Sequence, residues 1–232
     1  MIHHSFITHA VIMRLVAVLF VLHIVCWTTV YYLAFKYGLI AYPYLFLSTA
    51  FGWDPARAVA AFLLPIIALL TGLVLYLRAL LIKPRLKTRF QRSLWKGFNC
   101  CIVLTCFGLL GVSAISIYTN IYVHLVFAFA LFIGGILIML ISTFFDISLN
   151  LPINLPIRVI RLVLTVTAIV SGICLGVFFY PKPFFGSIME MVTTGSIISY
   201  FCTFAYKLER VDDPIISHID RIGEKACRRR IV

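Results

Sequence analysis

Six stretches of this chain are apolar over enough length to cross a hydrocarbon layer, and this limits what it can fold into. A bilayer core about 30 Å thick takes roughly 20 helical residues. The stretches cover residues 13–33, 58–82, 97–117, 122–145, 159–179 and 187–208. Each is continuous, whereas a spanning β-barrel would show alternating segments of about ten residues. The expected fold is therefore all-α: a polytopic bundle of six transmembrane helices over residues 1–208, followed by a tail over residues 209–232.

Composition excludes the other classes. Of 232 residues, 62% are hydrophobic and 12% charged, against about 25% charged in a soluble domain. The 20 Phe and 11 Tyr are incompatible with disorder. The apolar run after Arg14 is longer than the roughly 7–15 residues of a signal-peptide core. Cys26-Trp27-Thr28-Thr29 offers no small-residue cleavage site, so the run reads as a retained first span.

Lys and Arg total 20 against 8 Asp and Glu. In a soluble chain that excess would suggest nucleic acid. Here the basic residues fall mostly in the linkers, where topology and anionic lipid explain them without any nucleic-acid partner. One face collects 17 of the 20: Arg14, the stretch from Arg78 to Lys96, Arg158, Arg161 and the tail from Lys207. The other has Lys36, Arg57 and Lys182. Positive-inside bias then places both termini in the cytosol. No cysteine falls in an external loop, so no disulfide is expected there.

The first external loop, 36–57, is rich in aromatics, Gly and Pro. It is expected to fold back onto the membrane surface, over whatever lies at that rim. The loop at 118–121 is so short that the third and fourth spans must form a tight hairpin.

Ionisable residues inside spans are the most informative, because a charge at mid-bilayer costs about 2.5–3.5 kcal/mol on insertion scales. His23, His124 and Glu190 stand out. His124 and Glu190 each fall near the start of a span that begins externally, so they share a depth with Asn120, Asp54, Arg57 and Lys182. Two readings of this ring stand side by side. It is a lipid head-group or partner site, or it is a set of interhelical hydrogen bonds holding the bundle. His23, alone and nearer mid-span, reads as a neutral, internally bonded histidine.

No nucleophile motif, His-Glu-x-x-His or catalytic paired-Asp motif is present, and no cofactor or metal site is expected. If the chain were an enzyme, His124 and Glu190 would be its acid/base candidates. On the opposite face Lys83, Arg85, Lys87, Arg89 and Arg92 form a basic stretch suited to anionic lipid. Cys100 and Cys101 are either acylation sites or packing thiols. Gly172-x-x-x-Gly176 permits close helix approach, expected inside the bundle. The tail reads as an amphipathic helix capped by Asp213, with Pro214 at its first position and Ile215, Ile219, Ile222 and Ala226 on one face.

Three groups of residues resemble a known family. The first loop carries Pro43, then Leu47-Ser48-x-Ala50-x-Gly52-x-x-Pro55-x-Arg57. The fourth span opens Asn120-x-x-x-His124, followed by Ala128 and Phe132. The last span has Glu190 and then Tyr200-x-x-Thr203-Phe204. Together they resemble the DRAM/Frag/Sfk group of six-span membrane proteins, which includes GPI-anchor remodelling proteins. The resemblance implies a role in lipid homeostasis, lipid transfer, GPI-anchor maturation, phosphoinositide-kinase anchoring or autophagy. It draws Ser48, Gly52, Pro55, His124 and Glu190 to the external rim. The reading that follows is a non-catalytic lipid-binding adaptor or accessory subunit of a larger membrane complex, in the endoplasmic reticulum or Golgi, with plasma membrane or lysosome as alternatives. An enzyme acting on a lipid anchor at the rim is the competing reading.

Single-cysteine or glycan tags test the orientation. A tag near Tyr42 should be modified from the lumenal or extracellular side, and tags at either terminus should be protected. A terminus labelled from outside would overturn the assignment.

Overall fold

The structure is a computed structural model that describes residues 2–40, 45–149, 151 and 153–208. The expected tail helix and the Tyr42-Pro43-Tyr44 part of the first loop lie outside the described residues. The chain forms α1 (Ile2–Lys36), a short α2 (Leu47–Ala50), α3 (Ala56–Ile82), α4 (Arg89–Ala114), α5 (Ile121–Ser148), α6 (Leu155–Phe178) and α7 (Pro183–Leu208). All but α2 are long and apolar enough to cross a membrane. The long helices pack in chain order around a ring, α1–α3–α4–α5–α6–α7, which closes where α7 meets α1.

Local sequence sets the helix ends. α1 stops at Gly38, whose φ of +65° suits a residue without Cβ. Leu39 N–H then bonds the Ala34 carbonyl (2.8 Å) and Gly38 N–H that of Phe35 (3.1 Å), capping the C-terminus. α4 starts eight residues before the expected 97 because Thr88 and Gln91 make a reciprocal capping box. Asn120 caps α5 by accepting from the Val123 N–H (3.1 Å).

Each span is inside-out relative to a soluble helix. On α3, Phe62, Leu69, Leu73, Tyr76 and Leu80 are exposed and would face lipid, while Ala60, Leu64, Thr71 and Arg78 are buried. On α6, Val159, Val163, Val166, Val170 and Val177 point out, and Arg161, Thr165 and Ser171 point in. Lipid tails are as apolar as Val, so what faces inward is what needs a partner or a close approach. Glycine provides the close approach between α4 and α5. A methyl group at Gly108 would run into the backbone of Phe127 and Leu131, and one at Gly134 into Thr105. Gly172 packs inside the bundle against Ile136 as expected, but Gly176 borders open space.

The end opposite α2 is closed by a buried charge cluster. Asp146, on the last turn of α5, takes Arg78 Nη2 at one oxygen (2.9 Å) and Arg161 Nη1 at the other. Arg161 also donates from Nε to Thr203 Oγ1 (2.7 Å) and from Nη2 to the Thr203 carbonyl (2.9 Å). The Arg78 guanidinium lies 4.1 Å from the centre of the Phe204 ring. Tyr200 donates to the Met139 carbonyl (3.1 Å) beside them. One carboxylate thus ties α3, α5 and α6 together, and α7 joins through Tyr200, Thr203 and Phe204. These three belong to the last-span pattern picked out in the sequence. Arg78 and Arg161, counted above as linker charges, are 6% and 0% exposed. Removing them from the count leaves the basic excess on that face intact.

Removing one member strands the others. Asp146→Ala should cost about 3–5 kcal/mol, measured as lost thermal stability of the purified protein in mild detergent. Replacing Arg78, Asp146 and Arg161 together with Met, Leu and Met should recover most of the loss. An Asp146→Ala protein as stable as the parent would show that the cluster does not hold the bundle.

Candidate functional site

At the other end α2 sits inside the mouth of the bundle. Leu47, Ser48, Thr49 and Ala50 are all buried, so the first loop does not simply lie on the membrane surface. The reason is that α2 has polar partners to meet. Glu190, near the start of α7, accepts a hydrogen bond from the Leu47 N–H (2.6 Å), and Ser48 turns its N–H and hydroxyl to the same carboxylate. A carboxylate at the first N–H groups of a helix offsets donors that have no intrahelical partner. Tyr31 donates to the Leu45 carbonyl (3.1 Å) from α1. The Phe46 ring packs against Phe179 at the end of α6, with centres 4.9 Å apart.

The far side of the loop docks on the α4–α5 turn. Ser116 donates to the Gly52 carbonyl (3.2 Å) and accepts from the Tyr118 N–H (3.1 Å). Trp53 stacks near Tyr118, with ring centres 5.1 Å apart. A methyl group at position 52 would collide with the Tyr118 ring, so this close approach accounts for Gly52. The Ile115 carbonyl, just past α4, receives Nδ1–H of His124 at 2.6 Å. His124 is 1% exposed, and its Nε2 has no hydrogen-bond partner.

Beneath α2 lies a cavity that is partly open to the outside. α2 roofs it, and α1, α3, α4, α5 and α7 wall it. Its lining includes Ser48, His124 and Glu190 towards the mouth, then Leu64, Leu109, Phe132, Ile197 and Phe201, with His23, Thr71 and Thr105 spaced along the walls. Glu190 and Phe201 are eleven residues apart on α7, about 16 Å along its axis. The space is long, apolar along its length and polar at one end. Such a shape accommodates an amphiphile with its head at α2 and its hydrocarbon among the helices.

Of the residues singled out in the sequence, the structure brings Ser48, His124 and Glu190 to this cavity. His23 joins them, with Nδ1 held 2.8 Å from the Leu19 carbonyl. Gly52 is a packing position one step away. Asp54, Pro55, Arg57 and Asn120 do not line the cavity: Asp54 and Asn120 are exposed, and Pro55 and Arg57 are half-buried at the start of α3. Asp54 and Arg57, grouped with His124 and Glu190 by depth in the sequence, do not join them at the cavity. Lys83, Lys87, Arg89 and Arg92 are exposed around the α3–α4 linker, and Arg85 is half-buried. Lys83 Nζ lies 5.3 Å from the Trp95 ring centre. Cys100 is exposed and Cys101 buried.

Sequence reasoning missed two features. Trp27, Thr105 and Thr194 line the cavity but are ordinary span residues until six helices are assembled. The Asp146 cluster was missed because Asp146 lies one residue past the expected end of its span, where an acidic residue reads as a linker charge.

No described group of three or more His, Cys, Asp or Glu is arranged to hold a metal. Among curated proteins and solved structures nothing matches the chain. A family model described as the Frag1/DRAM/Sfk1/Cwh43P N-terminal domain matches residues 4–211. With nearly the whole chain covered, this protein belongs to the Frag1/DRAM/Sfk1/Cwh43 family of membrane proteins.

Proposed function

We propose that this chain is a lipid-binding membrane accessory protein that holds one lipid in the cavity beneath α2 and presents it to a larger lipid-handling assembly. The observation that carries this reading is the cavity itself: apolar walls about 16 Å long, with Ser48, His124 and Glu190 at one end. The basic residues around the α3–α4 linker support the proposal from the other end. In the orientation set by the positive-inside rule they meet the cytosolic leaflet, where each is worth about 1 kcal/mol towards anionic lipid. The mouth then opens to the lumenal or outer leaflet. An endoplasmic reticulum or Golgi membrane fits lipid maturation best.

A second reading keeps the same cavity and makes it catalytic. Ser48 turns its hydroxyl to Glu190, and His124 faces the same space, so a hydroxyl, a carboxylate and an imidazole share one end. The adaptor is favoured because Glu190 is already engaged with the backbone of α2, a holding role rather than a base poised on substrate.

Purification in mild detergent with mass spectrometry of bound lipid tests the proposal. A lipid should co-purify, and Ala128→Phe, which fills the cavity, should reduce its occupancy by about tenfold in a folded, monodisperse protein. Equal lipid in parent and variant would exclude the cavity as the site. Turnover of lipid by the isolated chain would establish the catalytic reading instead.

A stoichiometric protein partner should be recovered from native membranes with the same preparation. Neutralising Lys83, Lys87, Arg89 and Arg92 together should weaken binding to vesicles containing phosphatidylserine, and added salt should reproduce that loss. A variant that binds them as well as the parent would remove the linker from the proposal.

A further inference from the structure

We infer that the polar end of the cavity is built to receive a primary ammonium group carried on a hydrocarbon chain. The inference rests on the lipid-binding reading and adds the chemistry of the head group.

The donors and acceptors at this end are unbalanced. A carbonyl oxygen only accepts, so the contact to Ile115 fixes the His124 proton on Nδ1. In the neutral ring the other nitrogen is then an acceptor. That nitrogen, Nε2, is buried and has no partner in the protein. Deeper along the cavity wall His23 is held in the same way through Leu19, so its Nε2 is an acceptor too. Two of the cavity's hydroxyls have committed their protons elsewhere: Thr105 donates to the Cys101 carbonyl and Thr194 to the Glu190 carbonyl, each at 2.8 Å.

Charge points the same way. The Glu190 side chain is met by the Leu47 N–H and by the N–H and hydroxyl of Ser48. These are dipoles, not a counter-charge. Among the described residues that line the cavity there is no Lys or Arg. The site therefore offers one carboxylate and the bare Nε2 of His124, with no cation to meet a phosphate. A phosphate head would add negative charge and further acceptors. A hydroxyl would satisfy one acceptor and leave the carboxylate without a counter-ion. An ammonium carries the missing charge and three N–H donors, enough for Glu190, His124 and one more acceptor. The apolar walls from Leu64 to Phe201 take its chain.

The test uses the full-length protein in neutral detergent and three probes that share one chain: dodecylamine, dodecanol and dodecyl phosphate. Trp27 lines the cavity and reports entry by fluorescence, with Trp27→Phe as the control for the signal's origin. Dodecylamine should bind saturably and at least about tenfold tighter than dodecanol, and dodecyl phosphate more weakly than either. Glu190→Gln should bring the amine to the level of the alcohol while alcohol binding persists. If that variant does not fold, the three-probe comparison on the parent decides alone. An amine no tighter than the alcohol, a phosphate equal to the amine, or amine binding unchanged in folded Glu190→Gln would overturn the ammonium site and leave the lipid-binding reading in place. If no probe enters the parent protein, both readings fall together.

Discussion

The carboxylate of Asp146 is the point on which the arrangement of the spans depends. It accepts from Arg78 and Arg161, and Arg161 fixes Thr203 through two further bonds. Helices in a bilayer gain little from burying apolar surface against one another, since lipid is an equally good apolar solvent. Polar contacts and close packing therefore decide which helix faces which. A guanidinium turned outward would meet hydrocarbon, while one turned inward meets the only described carboxylate at that level. That difference sets the rotation of α3 and α6 about their axes, and it places Thr165 and Ser171 on the inner face of α6.

The mouth follows the same logic with weaker charges. Glu190 has no guanidinium to meet, and it finds instead the N–H groups at the start of α2. This draws the first loop down into the bundle. Ser116 and the Trp53–Tyr118 contact hold its far side. The two ends are therefore unlike. The Asp146 end is charge-paired and packed by Phe98, Phe145 and Phe204, whereas the Glu190 end keeps a cavity. A bundle locked at one end can keep open space at the other, because the helices there need not converge to be held.

Much of this was legible from residue order. The spans follow from the length of the apolar runs, and the hairpin of α4 and α5 from a loop too short for anything else. His124 and Glu190 stand out because an ionisable residue in an apolar run needs a reason. Their common depth follows from each lying near the start of a span on the same side. The extent of α4 was less legible, since Arg89, Gln91 and Arg92 read as linker until Thr88 and Gln91 are seen to cap one another. Arg78 and Arg161 were misread for a related reason. Near a span end, a basic residue that snorkels to water and one that turns inward to an acid have the same sequence signature. Only the partner separates them, and Asp146 is 68 residues from Arg78.

Residue order alone settled that the chain is a six-span helical membrane protein, because hydrocarbon permits no other use of such continuous apolar runs. It also singled out His124 and Glu190 within them. The three-dimensional packing decided the rest. It set Asp146 between two arginines, drove α2 onto Glu190, left Nε2 of His124 without a partner, and excluded Asp54 and Arg57 from the cavity. These are relations between residues far apart in the chain. They depend on helix rotation and on the closing of a ring of six, which no local pattern encodes.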